Sequence, residues 1–248
     1  MHLHIGKNNV IGRSFASKPN VKVVSHSQLE YENLYSYDTI SISAFDSAAK
    51  VKFIGVDDVT KNIVANTNSS AEIIYFSSAR VLTENLFNNY HFYIKNKLEI
   101  ENFLFDHHEK SKIVYLPNII PKYASDRCDF IDMFLDNLRD GTVKFDSSLE
   151  SSWNFISSEK LVEACLDKKF TARRTVFLNH REITVADLIR FAKQYSNKPI
   201  DIEIGSDTMI YPDERKFDCE KIYSDFENTT DEFLWIRRRQ QGYINDLW

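Results

Sequence analysis

Short apolar runs recur through the first half of this chain, and helical patterns separate several of them. The runs are His2–Ile5, Val21–Val24, Asp38–Ala44, Ile73–Phe76 and Lys112–Leu116. Helical patterns begin near Val10, cover Val56–Asn66, and follow Ser77-Ser78. Strands that alternate with helices imply a parallel sheet covered on both faces, an α/β architecture. Such sheets gather ligands at the carboxyl ends of their strands. Gly6, Ala44, Ser78 and Asn118 are therefore predicted to share one edge. From Pro121 the alternation loosens. A helix is predicted over Phe130–Arg139, a turn at Asp140-Gly141, a strand at Thr142–Phe145, and then Trp153–Ile156. After these come a helix over Ser157–Leu166, a strand at Thr175–Leu178, a helix over Thr184–Tyr195 and a strand at Ile200–Ile204. The tail from Phe217 reads as charged and helical in places. With no internal repeat or clear linker, the second part is predicted to fold against the first.

The first run leads into Gly6-Lys7-Asn8-Asn9-Val10-Ile11-Gly12. Gly6 can make a tight turn, Gly12 lets a helix pack closely on the sheet, and the N–H groups starting that helix could face a pyrophosphate. This suits a dinucleotide, although an ordinary strand-turn-helix accounts for it equally well. Asn9 occupies the place of the usual middle glycine, and asparagine tolerates positive φ. The second strand ends Ser25-His26-Ser27, with no carboxylate to hold the ribose hydroxyls of NAD. His26 and Ser27 suit a 2′-phosphate, hence NADP, with NAD the alternative; they equally fit a helix cap through Gln28. The Ile73–Phe76 run ends in Ser77-Ser78, and the following helix carries Tyr93 and Lys97 on one face. Of twelve tyrosines, Tyr93 alone has a lysine four residues on. An ammonium beside a phenol favours the phenolate and brings a group of pKa about 10 toward neutral proton transfer. A surface lysine beside a half-buried tyrosine is the plainer reading.

Composition narrows the classes. The 43% hydrophobic and 13% aromatic content is that of a globular protein, and the net charge of -5 weighs against nucleic acid. Cys128, Cys165 and Cys219 are too scattered for a disulfide framework or zinc site. No apolar run reaches the roughly 18 residues of a membrane span, and the N-terminal stretch lacks a signal-peptide core, so a cytoplasmic protein without membrane partners is expected. His107-His108 does not suggest a metal, since adjacent helical residues diverge. Arg237-Arg238-Arg239 reads as a solvated face.

Together these residues resemble the extended short-chain dehydrogenase/reductase family, the nucleotide-sugar epimerases, dehydratases and ketoreductases. Gly6-x-x-Asn9-x-x-Gly12 is similar to its GxxGxxG, Phe76-Ser77-Ser78-Ala79-Arg80-Val81 to its SS-x-x-VY, and Tyr93-x-x-Asn96-Lys97-x-x-x-Glu101 to its YxxSKxxxE. Leu116-Pro117-Asn118 resembles the segment after the sixth strand, and Tyr211-Pro212-Asp213-Glu214-Arg215 the late RPGD. The resemblance implies a Rossmann-type doubly wound sheet over residues 1–120. It also implies a smaller α+β substrate-binding part over 121–248, packed on the sheet or interleaved with it. It implies Ser78, Tyr93 and Lys97 as catalytic residues. Gly6, Asn9, Val10, Ile11, Gly12, His26, Ser27, Ala44, Lys97 and Pro117 would hold NADP or NAD, and Ser78, Asn118 and Arg215 a nucleotide sugar. The expected activity is an oxidoreductase or epimerase of surface-polysaccharide biosynthesis, homodimeric through the Tyr/Lys helix. The family's arginine falls on Trp153, which together with Asn9 keeps a second reading open, a binding protein without turnover.

Overall fold

The computed structural model describes residues 1–43, 52–82, 91–120, 129–196, 199–212 and 218–224. Seven parallel strands form the main sheet: β1 (His2–Ile5), β2 (Val21–Val24), β3 (Thr39–Ile42), β4 (Glu72–Ser78), β5 (Ser111–Leu116), β9 (Arg174–Asn179) and β13 (Glu220–Ser224). Their spatial order is β13-β9-β5-β4-β3-β1-β2. This is a doubly wound α/β sheet of Rossmann type.

Both faces are buried, which explains why the central strands read as unbroken apolar runs rather than alternating ones. Successive residues of β4 enter different clusters, Ile73 and Tyr75 on one face, Ile74 and Phe76 on the other. β5 repeats the division with Ile113 and Tyr115 against Val114 and Leu116. The first face is covered by α2 (Asp58–Asn66) and α3 (His91–His107) through Ile63, Ile94, Ile100 and Leu104. The second is covered by α1 (Val10–Ala16) and α5 (Ser158–Leu166), through Ile11, Phe15, Leu161 and Val162. Asp57 caps α2, accepting from the Thr60 N–H at 2.8 Å. The boundaries of α2 and α5 lie close to those read from the sequence.

Strand β1 has β2 on one side and β3 on the other. The connections thus leave β1 in opposite directions, and a crevice opens at the carboxyl ends where they part. No α-helix joins β2 to β3. Two 3₁₀ turns do so instead, His26–Tyr31 and Leu34–Ser36.

Beyond the main sheet, β8 (Ser152–Ser157) is flanked by β6 (Asn118–Ile120), β10 (Glu182–Thr184) and β12 (Ile210–Tyr211). β7 (Thr142–Ser147) pairs with β11 (Asp201–Asp207), and α4 (Asp129–Asp140) and α6 (Val185–Tyr195) complete this part. β9 and β13 come from the later chain yet finish the main sheet, so the two parts are interleaved. The tail expectation needs correction here, because residues 220–224 are a strand paired with β9, not a helix. An edge strand is half solvated, and its charged Glu220 and Lys221 hide the apolar repeat that marks the interior strands. Among the described residues, no helix is long and apolar enough to cross a membrane.

The two glycines of the first turn have different causes. Gly6 adopts φ 134°, in the region closed to most side chains. At Gly12 the constraint is space, since a Cβ there would lie 2.0 Å from the Gly6 carbonyl oxygen. Gly12→Ala is expected to force α1 off the turn and to cost about 1–3 kcal/mol, as overpacking does. Thermal unfolding should show this as a midpoint lower by roughly 2–10 °C.

Candidate functional site

The turn after β1 is held by side chains. Asn9 caps α1, its Oδ1 accepting from the Gly12 N–H at 2.8 Å. Its Nδ2 donates to the Ser43 carbonyl at 3.0 Å, tying the turn to the end of β3. Asn9 has φ -103°, so the expected tolerance of positive φ plays no part; what matters is its short polar side chain. The chain of bonds continues downward. Ser43 Oγ lies 2.8 Å from His4 Nε2, and His4 Nδ1 lies 2.8 Å from Ser41 Oγ. His4 is fully buried and stacks on Phe15 with ring centres 4.2 Å apart. Burial, assisted by neighbouring His2, holds its pKa well below the usual imidazole value, so the ring is neutral and donates from one nitrogen only. This polar column escaped the sequence reading. Its signal was there, as His2-x-His4 and Ser41-x-Ser43 have the two-residue spacing of side chains on one face of paired strands.

Beside the turn lies a cavity of about 420 Å³, lined by Gly6, Lys7, Asn9, Ser25, His26 and Ser27 among others. Its volume is in the range of about 300–1,000 Å³ typical of small-molecule sites. Ser25 is engaged locally, its N–H donating to Gln28 Oε1 at 3.0 Å, in line with the capping alternative. His26 and Ser27 are exposed at the cavity wall.

The second half of the site sits where β4 meets α3. Asn96 anchors the helix, accepting from the Ile54 and Gly55 N–H groups at 2.9 and 3.0 Å and donating to the Lys52 carbonyl at 2.8 Å. Ser77 faces α3 and donates to Glu101 Oε1 at 2.6 Å, and the Tyr115 hydroxyl donates to Oε2 at 2.8 Å. Burial raises the Glu101 pKa, against the lowering effect of these hydrogen bonds and of nearby Lys97. Lys97 is buried between two phenols. Its Nζ donates to the Tyr75 hydroxyl at 3.1 Å and lies 5.4 Å from the Tyr93 ring centre. Tyr75 was no part of the sequence expectation, because its place in an apolar run gives it the look of core. Ser78, on the last residue of β4, accepts from the Arg80 N–H at 3.3 Å. The Tyr211 side chain is hydrogen-bonded to Ser78 and to Arg80, and it senses the charge of Tyr93. Ser78, Tyr93, Lys97 and Tyr211 thus meet at the carboxyl end of β4.

The remaining expected residues fall as follows. Val10 and Ile11 open α1, and Pro117 is buried between β5 and β6. Asn118 starts β6 and donates to the Asn154 carbonyl at 3.4 Å. Trp153, in the position of the family arginine, is buried in the core and paired in register with Tyr211. Ala44, Arg215 and Arg237-Arg238-Arg239 lie outside the described residues. His107 stacks on Phe103, while His108 is buried near the Asn68 carbonyl.

No family model and no curated protein matches the sequence. Solved structures do match. A NAD-dependent NDP-hexosamine 5,6-dehydratase involved in tunicamycin biosynthesis aligns with 99% of this chain and 98% of its own, at TM-score 0.66 and 14% identity. The chain has its fold. A dTDP-4-dehydrorhamnose reductase from Clostridium acetobutylicum covers 84% of each chain at TM-score 0.60 and 18% identity. GDP-mannoheptose C4 reductase from Campylobacter jejuni, with NADP bound, covers 97% and 98% at TM-score 0.63 and 9% identity. The extended short-chain dehydrogenase/reductase architecture suggested by the Phe76–Val81 and Tyr93–Glu101 segments is therefore the architecture of this chain.

The Glu101 geometry has a measurable pH signature. A carboxyl whose pKa is raised by folding binds more protons in the native state, so stability falls as pH rises from about 4.5 through the raised native value. Glu101→Gln should flatten that decline, because the amide cannot ionise. Chemical denaturation across this range checks it; identical slopes for parent and variant would remove Glu101 as the cause.

Proposed function

We propose that this chain is an NAD(P)-dependent oxidoreductase or epimerase of a nucleotide-activated sugar, acting in surface-polysaccharide biosynthesis. The observation that carries the reading is the meeting of Ser78, Tyr93 and Lys97 beside a glycine turn with an adjoining cavity. The residues of the turn fit a dinucleotide. Gly6 and Gly12 bring the backbone close, and the first N–H groups of α1, on Val10 and Ile11, have no partner within the helix. Gly6, Asn9, Val10, Ile11 and Gly12 would hold the pyrophosphate, with Ala44 and Pro117 along the same strand edge. His26, Ser27 and Lys7 would receive a 2′-phosphate, and no carboxylate is among the described residues of the cavity wall, which favours NADP over NAD.

When bound, the nicotinamide supplies or accepts the hydride. The protein would do the rest. Ser78 would donate a hydrogen bond to the reacting oxygen of the sugar, and Tyr93 would give or take its proton. Lys97 would favour the Tyr93 phenolate through its charge and hold the nicotinamide ribose. Asn118 and Arg215 would contact substrate. Phe92 and Leu98 stand exposed on α3, and we place a homodimer contact there. The second reading, a binding protein without turnover, draws on one observation: the recorded hydrogen bond of the Lys97 ammonium goes to Tyr75.

Two variants test the proposal with a panel of UDP-, dTDP- and GDP-linked keto sugars and reduced nicotinamides. Tyr93→Phe is expected to lower kcat by about 10²–10⁴-fold while leaving NADPH affinity unchanged by calorimetry. A Tyr93→Phe protein as active as the parent rejects the catalytic role. His26→Asp should shift the NADPH to NADH preference toward NADH by on the order of tenfold, read from kcat/KM with each cofactor.

A further inference from the structure

We infer that Tyr211 is a positioning residue for Ser78, acting together with Arg80 to commit the serine proton to the reacting oxygen of the substrate. The inference rests on the Ser78/Tyr93/Lys97 assignment above and adds a residue that assignment does not contain. β12 carries Tyr211 alongside Trp153 on β8, from the opposite end of the sequence, and only 6% of Tyr211 is exposed. Its phenol is hydrogen-bonded to the side chains of Ser78 and Arg80, and the Arg80 guanidinium lies 5.9 Å from its ring centre.

The directions of these bonds follow from the chemistry of the groups. A guanidinium has donors only. The Arg80 bond therefore ends on the phenol oxygen as acceptor, and the phenol proton is left for Ser78 Oγ. Ser78 Oγ already accepts from the Arg80 backbone N–H at 3.3 Å. A hydroxyl oxygen has two lone pairs, so both acceptor places of Ser78 are filled. What remains is its own proton. That proton can only be donated, and a carbonyl or nascent alkoxide oxygen seated beside Tyr93 is the acceptor the site offers. Burial pushes the Tyr211 pKa up to about 12, so the phenol keeps its proton throughout the neutral range and the arrangement does not titrate away. Without Tyr211, Ser78 regains a free lone pair and can turn its proton elsewhere. A donor aimed at developing charge is one of the larger contributions an active site makes, and its aim is what Tyr211 supplies.

The test uses steady-state kinetics on whichever member of the keto-sugar panel is reduced with NADPH. Tyr211→Phe keeps the ring and removes only the hydroxyl. It is expected to lower kcat by about 10- to 100-fold with KM changed less than about threefold and NADPH affinity unchanged. Ser78→Ala should lower kcat at least as much. The double variant should be no worse than Ser78→Ala alone, because residues that act as a unit are not additive. A purely structural Tyr211 would instead give losses that multiply, or would lower NADPH affinity and the thermal midpoint together. Parental kcat in Tyr211→Phe, or multiplying losses in the double variant, overturns the inference while Tyr93→Phe still judges the catalytic assignment separately. Turnover of no panel member overturns both.

Discussion

The carboxylate of Glu101, enclosed by the Ser77 and Tyr115 hydroxyls, is the contact on which the geometry of this molecule turns. It lies between α3 and the two central strands, 1% exposed, with an ammonium one helical turn away. A buried carboxylate without partners would cost several kcal/mol. Meeting both hydroxyls fixes the rotation and the height of α3 over the sheet, because the bonds go to neighbouring strands. Apolar packing by Ile94, Ile100 and Leu104 holds the helix down but would tolerate sliding. The hydrogen bonds select one register, and that register places Lys97 over Tyr75 and Tyr93 at the strand end. The polar interior is thus what converts a packed layer into an ordered site.

A similar economy governs the first turn. The middle position needs no glycine here, because Asn9 sits in extended backbone and uses its amide to close the turn onto Ser43. The neutral His4 ring beneath extends this tie through Ser41 and Ser43, so the loops after β1 and β3 move together or not at all. The N–H of Gly12 is consumed by the cap, which leaves the earlier N–H groups of α1 to any ligand.

Much of this was legible in the sequence, for definite reasons. Strands buried on both faces, such as Ile73–Phe76, announce themselves because every position is apolar. Helix starts at Asp57, Ser157 and Thr184 announce themselves through caps. Gly6 and Gly12 were readable because a backbone angle and a close approach leave no alternative residue. The roles of Tyr75, Glu101 and Tyr211 were hidden, since a polar tip on an aromatic body looks like core until its partner is known. Those partners lie on other elements, up to 133 residues away in the case of Ser78 and Tyr211. The tail misled because an edge strand lacks one buried face, so Glu220 and Lys221 read as a solvated helix. The connection after β2 misled in a milder way, since capping residues signal a helical start without stating how many turns follow.

The interleaving of the sheet bears on how the molecule is made. Gly6 is among the first residues to leave the ribosome, while Tyr211 and β13 are far along the chain. Strand β5 receives its outer neighbour β9 only after more than fifty intervening residues have been synthesised. A nascent chain can form the first five parallel strands and still expose the unsatisfied backbone of β5 to solvent and to other chains. The last pairing therefore completes the pocket and seals a sticky margin in one event, tying the competence of the finished molecule to its solubility during synthesis.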